Sequence, residues 1–348
     1  MRKYLVILLS VLLLLLTCAC STEQPKQDNQ PTKTEVENTV EKKEEKLTIA
    51  MVPQIKGNEY FMACYDGAAN ASKELNIDFI YDGPTDGRVD RQIELIETFI
   101  SDGVDAIIVS PNDSDTIVPT LQKAMEAGIA VLTFDVDANN GARDWFVNPA
   151  DAALIGKTLV ECMVKQADSE KFDYLVLCEN LSDAGQKAWT DAAIAYAQET
   201  KPDLNFLEIK QCTQSQDQAY TIAKDLLKIY PDVKGIITVG SVCFPGVVEA
   251  VNDSGLKGKI AVQGMGTPNE IRNYLEDGSI IYDVLWNPVD LGYAAVYAAY
   301  ETVNGTLAAD AKEIALGSIG TLTITEDKEI MLGEPFVFTA ENANDFDF

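Results

Sequence analysis

Residues 47–61 read LTIAMVPQIKGNEYF, and the rest of the chain repeats their pattern. Leu47–Val52 is a continuous apolar run of strand length. Tyr60–Leu75 then sets Cys64, Ala68, Ala69, Ser72 and Leu75 at helical spacing. Further strands are predicted at Asp78–Tyr81, Ala106–Val109 and Ala130–Phe134, with helices at Val89–Asp102 and Thr116–Ala127 between them. A second series opens with a helix at Ala150–Ala167. Strands at Asp173–Cys178, Leu204–Gln211, Gly235–Val239 and Lys259–Gln263 alternate there with helices at Gln186–Glu199, Asp217–Ile229 and Pro245–Asn252. Apolar strands separated by helices form parallel sheets covered on both faces. The expected class is therefore α/β: two doubly wound parallel-sheet lobes, changing over near Val147–Pro149. Such sheets bind ligands beyond the carboxyl ends of their strands, so two facing lobes place a ligand in the cleft between them.

Composition narrows the chemistry. The 348 residues are 47 % hydrophobic, enough for one large or two medium cores. Twenty-seven basic residues face 55 acidic ones, a formal net charge of −28 that repels phosphate backbones, so nucleic acid is not an expected partner. There is no histidine, which excludes histidine bases, Ser-His-Asp triads and histidine-bound metals. Five body cysteines, Cys64, Cys162, Cys178, Cys212 and Cys243, form no CxxC pair and read as small buried apolar residues.

The N-terminus reads as a signal. Arg2 and Lys3 precede an apolar run from Leu5 to Leu16, broken only by Ser10 and short for a membrane span. The sequence Thr17-Cys18-Ala19-Cys20 that follows resembles a bacterial lipobox, with Cys20 the expected lipidation site and Cys18 an alternative. Residues 1–20 are thus a lipoprotein signal peptide. Residues 21–46, nearly free of apolar side chains, are a flexible tether.

The residues just after each strand are the candidate site. They include Asn58, Tyr60 and Phe61 after the first strand, Ser110 after the third and Asp135 after the fourth. Gln186 and Trp189 follow Cys178, Ser241 follows Val239, and Trp286 and Asn287 end a strand-like run from Ile280 to Leu285. Carboxylates and amides bind vicinal hydroxyls, and aromatic faces stack on a sugar ring. Catalytic motifs fail on inspection. Gly156-Lys157-Thr158 has Asp151 where a P-loop needs its first glycine. Gly264-Met265-Gly266 ends in Asn269 and is interrupted by Pro268. The run from Asp135 to Asn139 begins like a calcium loop but has Asn140 and Phe146 at its Gly and Glu positions. There is no GxSxG, and Asp135 with Asp137, on one side of an extended segment, is a poor glycosidase pair. No catalytic residue, cofactor or metal is expected, and a surface hydrolase is disfavoured.

These features together resemble the periplasmic-binding-protein type I family, ribose-binding-like. Asn58-Glu59-Tyr60-Phe61 looks like its Asn-x-aromatic-aromatic motif and Asp135 like its sugar-binding aspartate. Tyr81-Asp82-Gly83-Pro84-Thr85, Val131–Asp137, Thr267-Pro268-Asn269 and Leu285-Trp286-Asn287 resemble the autoinducer-2- and rhamnose-binding branch. There, Gln54 stands at a lysine position and Gly185 at an aspartate position, while Gln186 matches. The resemblance implies a monomeric solute-binding protein of an ABC importer. It would be lipid-anchored on the outer face of the cytoplasmic membrane or periplasmic, and would deliver a sugar or sugar-like polyol to permease subunits. An autoinducer-2-type signal receptor, serving a sensor kinase or importer, is the alternative. It also implies a three-strand hinge, placed near Val147–Pro149, Trp286–Pro288 and Gly317. The N-terminal lobe would then be 47–147 plus 288–317, and the C-terminal lobe 148–287 plus 318–348.

Overall fold

A computed structural model describes residues 46–348. The expected signal peptide, both candidate lipidation cysteines and all of the tether but Lys46 lie outside these residues. The first half runs β1 (Thr48–Val52), α1 (Glu59–Leu75), β2 (Asp78–Tyr81), α2 (Val89–Asp102), β3 (Ala106–Val109), α3 (Val118–Glu126), β4 (Ala130–Phe134) and β5 (Trp145–Ala150). The second series is α4 (Ala152–Ala167), β6 (Phe172–Cys178), α5 (Ala184–Thr200), β7 (Leu204–Gln211), α6 (Gln216–Ile229), β8 (Gly235–Val239), α7 (Cys243–Asp253), β9 (Ala261–Gln263), α8 (Pro268–Glu276) and β10 (Asp283–Leu285). The chain ends with α9 (Pro288–Val303), β11 (Glu313–Leu316), β12 (Gly320–Ile324), β13 (Glu329–Gly333) and β14 (Phe336–Phe338).

Local chemistry sets the boundaries. Asn58 caps α1 by accepting from the Phe61 amide at 3.2 Å, and Asn76 ends it in the left-handed conformation. Thr267 and Glu270 form a reciprocal capping box at α8, so the glycine-rich run before it serves a helix start. Strands β3 and β8 are buried along their whole length, as parallel strands with helices on both faces must be.

The N-terminal sheet has the order β11-β12-β13-β5-β4-β3-β1-β2 and the C-terminal sheet β7-β6-β8-β9, with β10 and β14 as a separate antiparallel ribbon. The parallel series in each lobe follow the expected plan. The sequence pattern marks neither β5, which lies between β4 and β13, nor helices α8 and α9, nor strands β11 to β14.

One expectation is corrected. The third crossing was placed near Gly317, with 318–348 in the C-terminal lobe. Gly317 and Gly320 instead have φ of +42° and +89° and reverse the chain, so that β12 pairs antiparallel with β11. Strand β13 then pairs with β5, and only after Gly333 does β14 join β10. The chain therefore passes over at Glu334-Pro335. A glycine marks a tight reversal and a hinge alike, so the residue type alone did not distinguish them.

Helix α9 returns to the N-terminal lobe and lies directly on α1. Two glycines allow the contact: a Cβ at Gly67 would come 1.8 Å from the Val289 carbonyl oxygen, and one at Gly292 1.9 Å from that of Cys64. Both obstacles are backbone and cannot turn aside. Gly292→Ala should therefore lower stability by about 2 kcal/mol or more in urea unfolding, despite alanine's better helix propensity. Unchanged or raised stability would contradict so close an approach.

Candidate functional site at the strand ends

A cavity opens where the carboxyl ends of both sheets meet, with about 470 Å³ of empty space. Each wall segment follows a strand: Gln54 after β1, Asp135 after β4, Glu179 after β6, Gln214 after β7, Ser241 after β8, Met265 after β9 and Trp286 after β10. Asn58, Tyr60 and Phe61 reach it from the first turn of α1, and Gln186 and Trp189 from that of α5.

Asp135 is the centre of the polar wall. Its backbone is left-handed at φ +65°, a strained conformation for an aspartate, which turns the carboxylate across the end of β4. Tyr60 Oη donates to Asp135 Oδ1 at 2.7 Å and Ser110 Oγ donates to Oδ2 at 3.0 Å. The Trp286 indole N–H donates in turn to Tyr60 Oη at 2.8 Å. Burial pushes the Asp135 carboxyl up to about 6, against the lowering effect of its two hydroxyl donors. Tyr60, in the same desolvated site, is held well above the usual phenol range and stays a neutral donor. Edge-on contacts link Tyr60 to Phe61 and to Trp286, and Trp286 to Trp189, giving an aromatic wall.

Of the expected site residues, Asn58, Tyr60, Phe61, Asp135, Gln186, Trp189, Ser241 and Trp286 line this cavity. Ser110 lies behind Asp135 and acts through it. Asn287 is a correction: its Oδ1 caps α9 by accepting from Val289 and Asp290, and its Nδ2 donates to Asp290. It borders a separate hollow behind the hinge. Helix capping took it, since α9 starts at the very next residue, Pro288. Asp137 is also drawn away from Asp135, into an ion pair with Arg143 at 2.8 Å. The positive φ at Asp135 breaks the extended geometry that would have put the two side chains on one side.

Gln54, Glu179 and Gln214 also line the cavity, beyond the residues expected from the sequence. Gln54 and Glu179 are the first polar residues beyond β1 and β6, a signal that was present. Gln214 stands in a loop where it and Thr213 both have positive φ, which no residue type announced.

Around the cavity the lobes bond directly to each other. Gln54 Nε2 donates to Asp183 Oδ2 of the other lobe at 2.7 Å and, within its own lobe, to the Pro111 carbonyl at 2.9 Å. Asn180 Nδ2 donates to the Asn112 carbonyl at 2.8 Å, and the Ala184 amide to Ser114 Oγ at 3.1 Å. Asp183 also caps α5. The five body cysteines are buried and unpaired. Among the described residues no group of three or more metal-ligating side chains could hold a metal ion, and no helix is long and apolar enough to cross a membrane.

Three buried carboxyls around the site titrate high, chiefly through desolvation: Asp135 at about 6, Asp183 at about 7 and Glu179 at about 8. The native chain therefore binds protons that the unfolded chain has already lost between the ordinary carboxylate range and pH 8, and stability falls as pH rises through that window. The ligand-free protein should melt higher near pH 5.5 than near pH 8, by at least about 2 °C. A Tm that is flat or rises from pH 5.5 to 8 would show these carboxyls to be solvated.

Known proteins share this sequence pattern and fold. A D-ribose/D-allose-binding protein of Pseudomonas aeruginosa is 26 % identical over 249 residues, covering 68 % of this chain and 76 % of the relative. A solved ABC transporter solute-binding protein from Clostridium phytofermentas, with bound L-rhamnose, superposes with a TM-score of 0.81 at 28 % identity, covering 86 % of this chain and 98 % of that one. LsrB from Clostridium saccharobutylicum, in complex with AI-2, shares the fold with a TM-score of 0.82 at 22 % identity, covering 87 % and 100 %. Residues 49–307, well over half the sequence, match the periplasmic binding protein domain, and the chain belongs to the periplasmic binding protein family.

Proposed function

We propose that this chain is the solute-binding protein of an ABC importer, closing on one monosaccharide or sugar-like polyol and delivering it to membrane permease subunits. Its family consists of transport binding proteins that work outside the cytoplasm, not of enzymes. The observation that carries the reading is the Asp135 carboxylate, oriented by Tyr60 and Ser110 and set in one cavity with the rings of Phe61, Trp189 and Trp286.

Each group has a task in binding. Asp135 accepts hydrogen bonds from ligand hydroxyls, using the lone pairs its two protein donors leave free. The rings cover the apolar face of the sugar. Gln186 spends its Oε1 on the Asn180 amide, and its Nε2 has no partner among the described residues, leaving a donor for a ligand oxygen. Asn58 and Ser241 supply further polar contacts. Closure brings Gln54 and Asp183 together and removes the ligand from water, and the three crossings act as the hinge. Lipidation at Cys20, with residues 21–46 as the tether, would keep this body at the outer membrane face as a monomer.

Isothermal titration against pentoses, hexoses, deoxyhexoses, amino sugars, polyols and autoinducer-2 tests the reading. A monosaccharide-sized member should bind, and Asp135→Asn should weaken it by roughly 100-fold, about 3 kcal/mol for two charge-assisted bonds. The melting temperature of the ligand-free variant should be equal or higher, because a buried charge is removed. A folded protein that binds nothing in the panel would overturn the reading, and a large loss of stability in Asp135→Asn would make Asp135 structural.

A further inference from the structure

The charge balance inside the cavity is unusual and bears on which sugar it takes. Two carboxyls line it from opposite lobes, Asp135 beyond β4 and Glu179 beyond β6, 6 % and 4 % exposed. Among the described residues no lysine or arginine lines it, and the sequence holds no histidine. Lys56, two residues past Gln54, turns out to solvent and pairs with Asp82 at 2.9 Å. Asp183, fully buried behind Gln54, adds a third acidic group.

Uncharged donors partly offset these charges. Asp135 has Tyr60 and Ser110. Glu179 has the backbone amides at the start of α7, Val242 donating to its Oε2 at 3.1 Å. Among the described residues no cation enters from a packed element: Asp135 faces Tyr60, Cys64 and Asp183, and Glu179 faces Asp183, Glu270 and Cys243. Buried carboxyls are ordinarily paired with a cation or neutralised by a proton. In the free pocket a proton can neutralise such a carboxyl, and a cationic ligand can take that proton's place when the pocket closes. Gln186, 5 % exposed and with Nε2 unpartnered among the described residues, faces the same cavity and asks for a ligand oxygen. The occupant that answers all three side chains has hydroxyls and an ammonium on one small ring or chain.

We propose that the ligand of this cavity is an amino sugar or amino polyol, bound as its ammonium form, with Glu179 as the residue that selects the amine. The inference rests on the sugar-binding reading above and narrows it. For a uronic acid or sugar phosphate the described lining offers no cationic partner.

Matched pairs test it: glucosamine against glucose, galactosamine against galactose and mannosamine against mannose, titrated near pH 6.5 in buffers of different ionisation enthalpy. At least one amine should bind ten or more times tighter than its neutral partner. Its binding should release protons, because Glu179, raised to about 8 by burial, is protonated in the free protein and ionises beside the ammonium. Glu179→Gln should abolish the amine preference. If that variant does not fold, the proton count of the unmodified protein decides alone. A neutral sugar that binds as tightly as its amine, without proton release, overturns the amine inference and leaves the sugar-binding function standing. Binding of no member of the pairs or of the wider panel overturns both.

Discussion

A carboxylate taken out of water must be held by donors, and at Asp135 the supply of those donors organises the cavity. The phenol of Tyr60 and the hydroxyl of Ser110 donate to it from the first turn of α1 and the end of β3, and the indole of Trp286, just past β10, donates in turn to Tyr60. Each lies at a strand's carboxyl end or one loop beyond it. The strained backbone at Asp135 is the local cost of aiming the group there. Trp286 stands where the chain passes from β10 to α9, so the donor that orders Tyr60 is also part of the connection between lobes.

The same desolvation acts at Asp183 and Glu179. Asp183 receives Gln54 from the opposite lobe, and Glu179 receives the α7 amides. These carboxyls thus have different partners while sharing one cause of high titration. Closure of the lobes, stability against pH and the preferred charge of the ligand become linked through one set of buried acids.

Much of this was legible before any coordinates. Parallel strands buried on both faces are written as unbroken apolar runs, so β3, β4 and β8 were read with their observed bounds. Asp135, Tyr60 and Trp286 followed from one rule, that ligands gather past strand ends. The rule failed at Asn287, where a helix began one residue later and needed its cap. It was not pressed far enough at Glu179, and Gln214 had no local signature.

The sequence by itself determined the alternation of strands and helices, the exclusion of histidine chemistry and the segments whose ends meet at a cleft, because those depend on local periodicity and residue type. Only the tertiary structure decided that β12 and β13 join the N-terminal sheet, that Asp135 and Asp137 part company, and that Gln54 and Asp183 meet. Each depends on a backbone reversal or on a contact between residues far apart in the chain: β13 pairs with a strand some 180 residues earlier, and Gln54 and Asp183 are separated by 129 positions. No local pattern encodes such pairings, since they are selected by the packing of the two lobes as wholes.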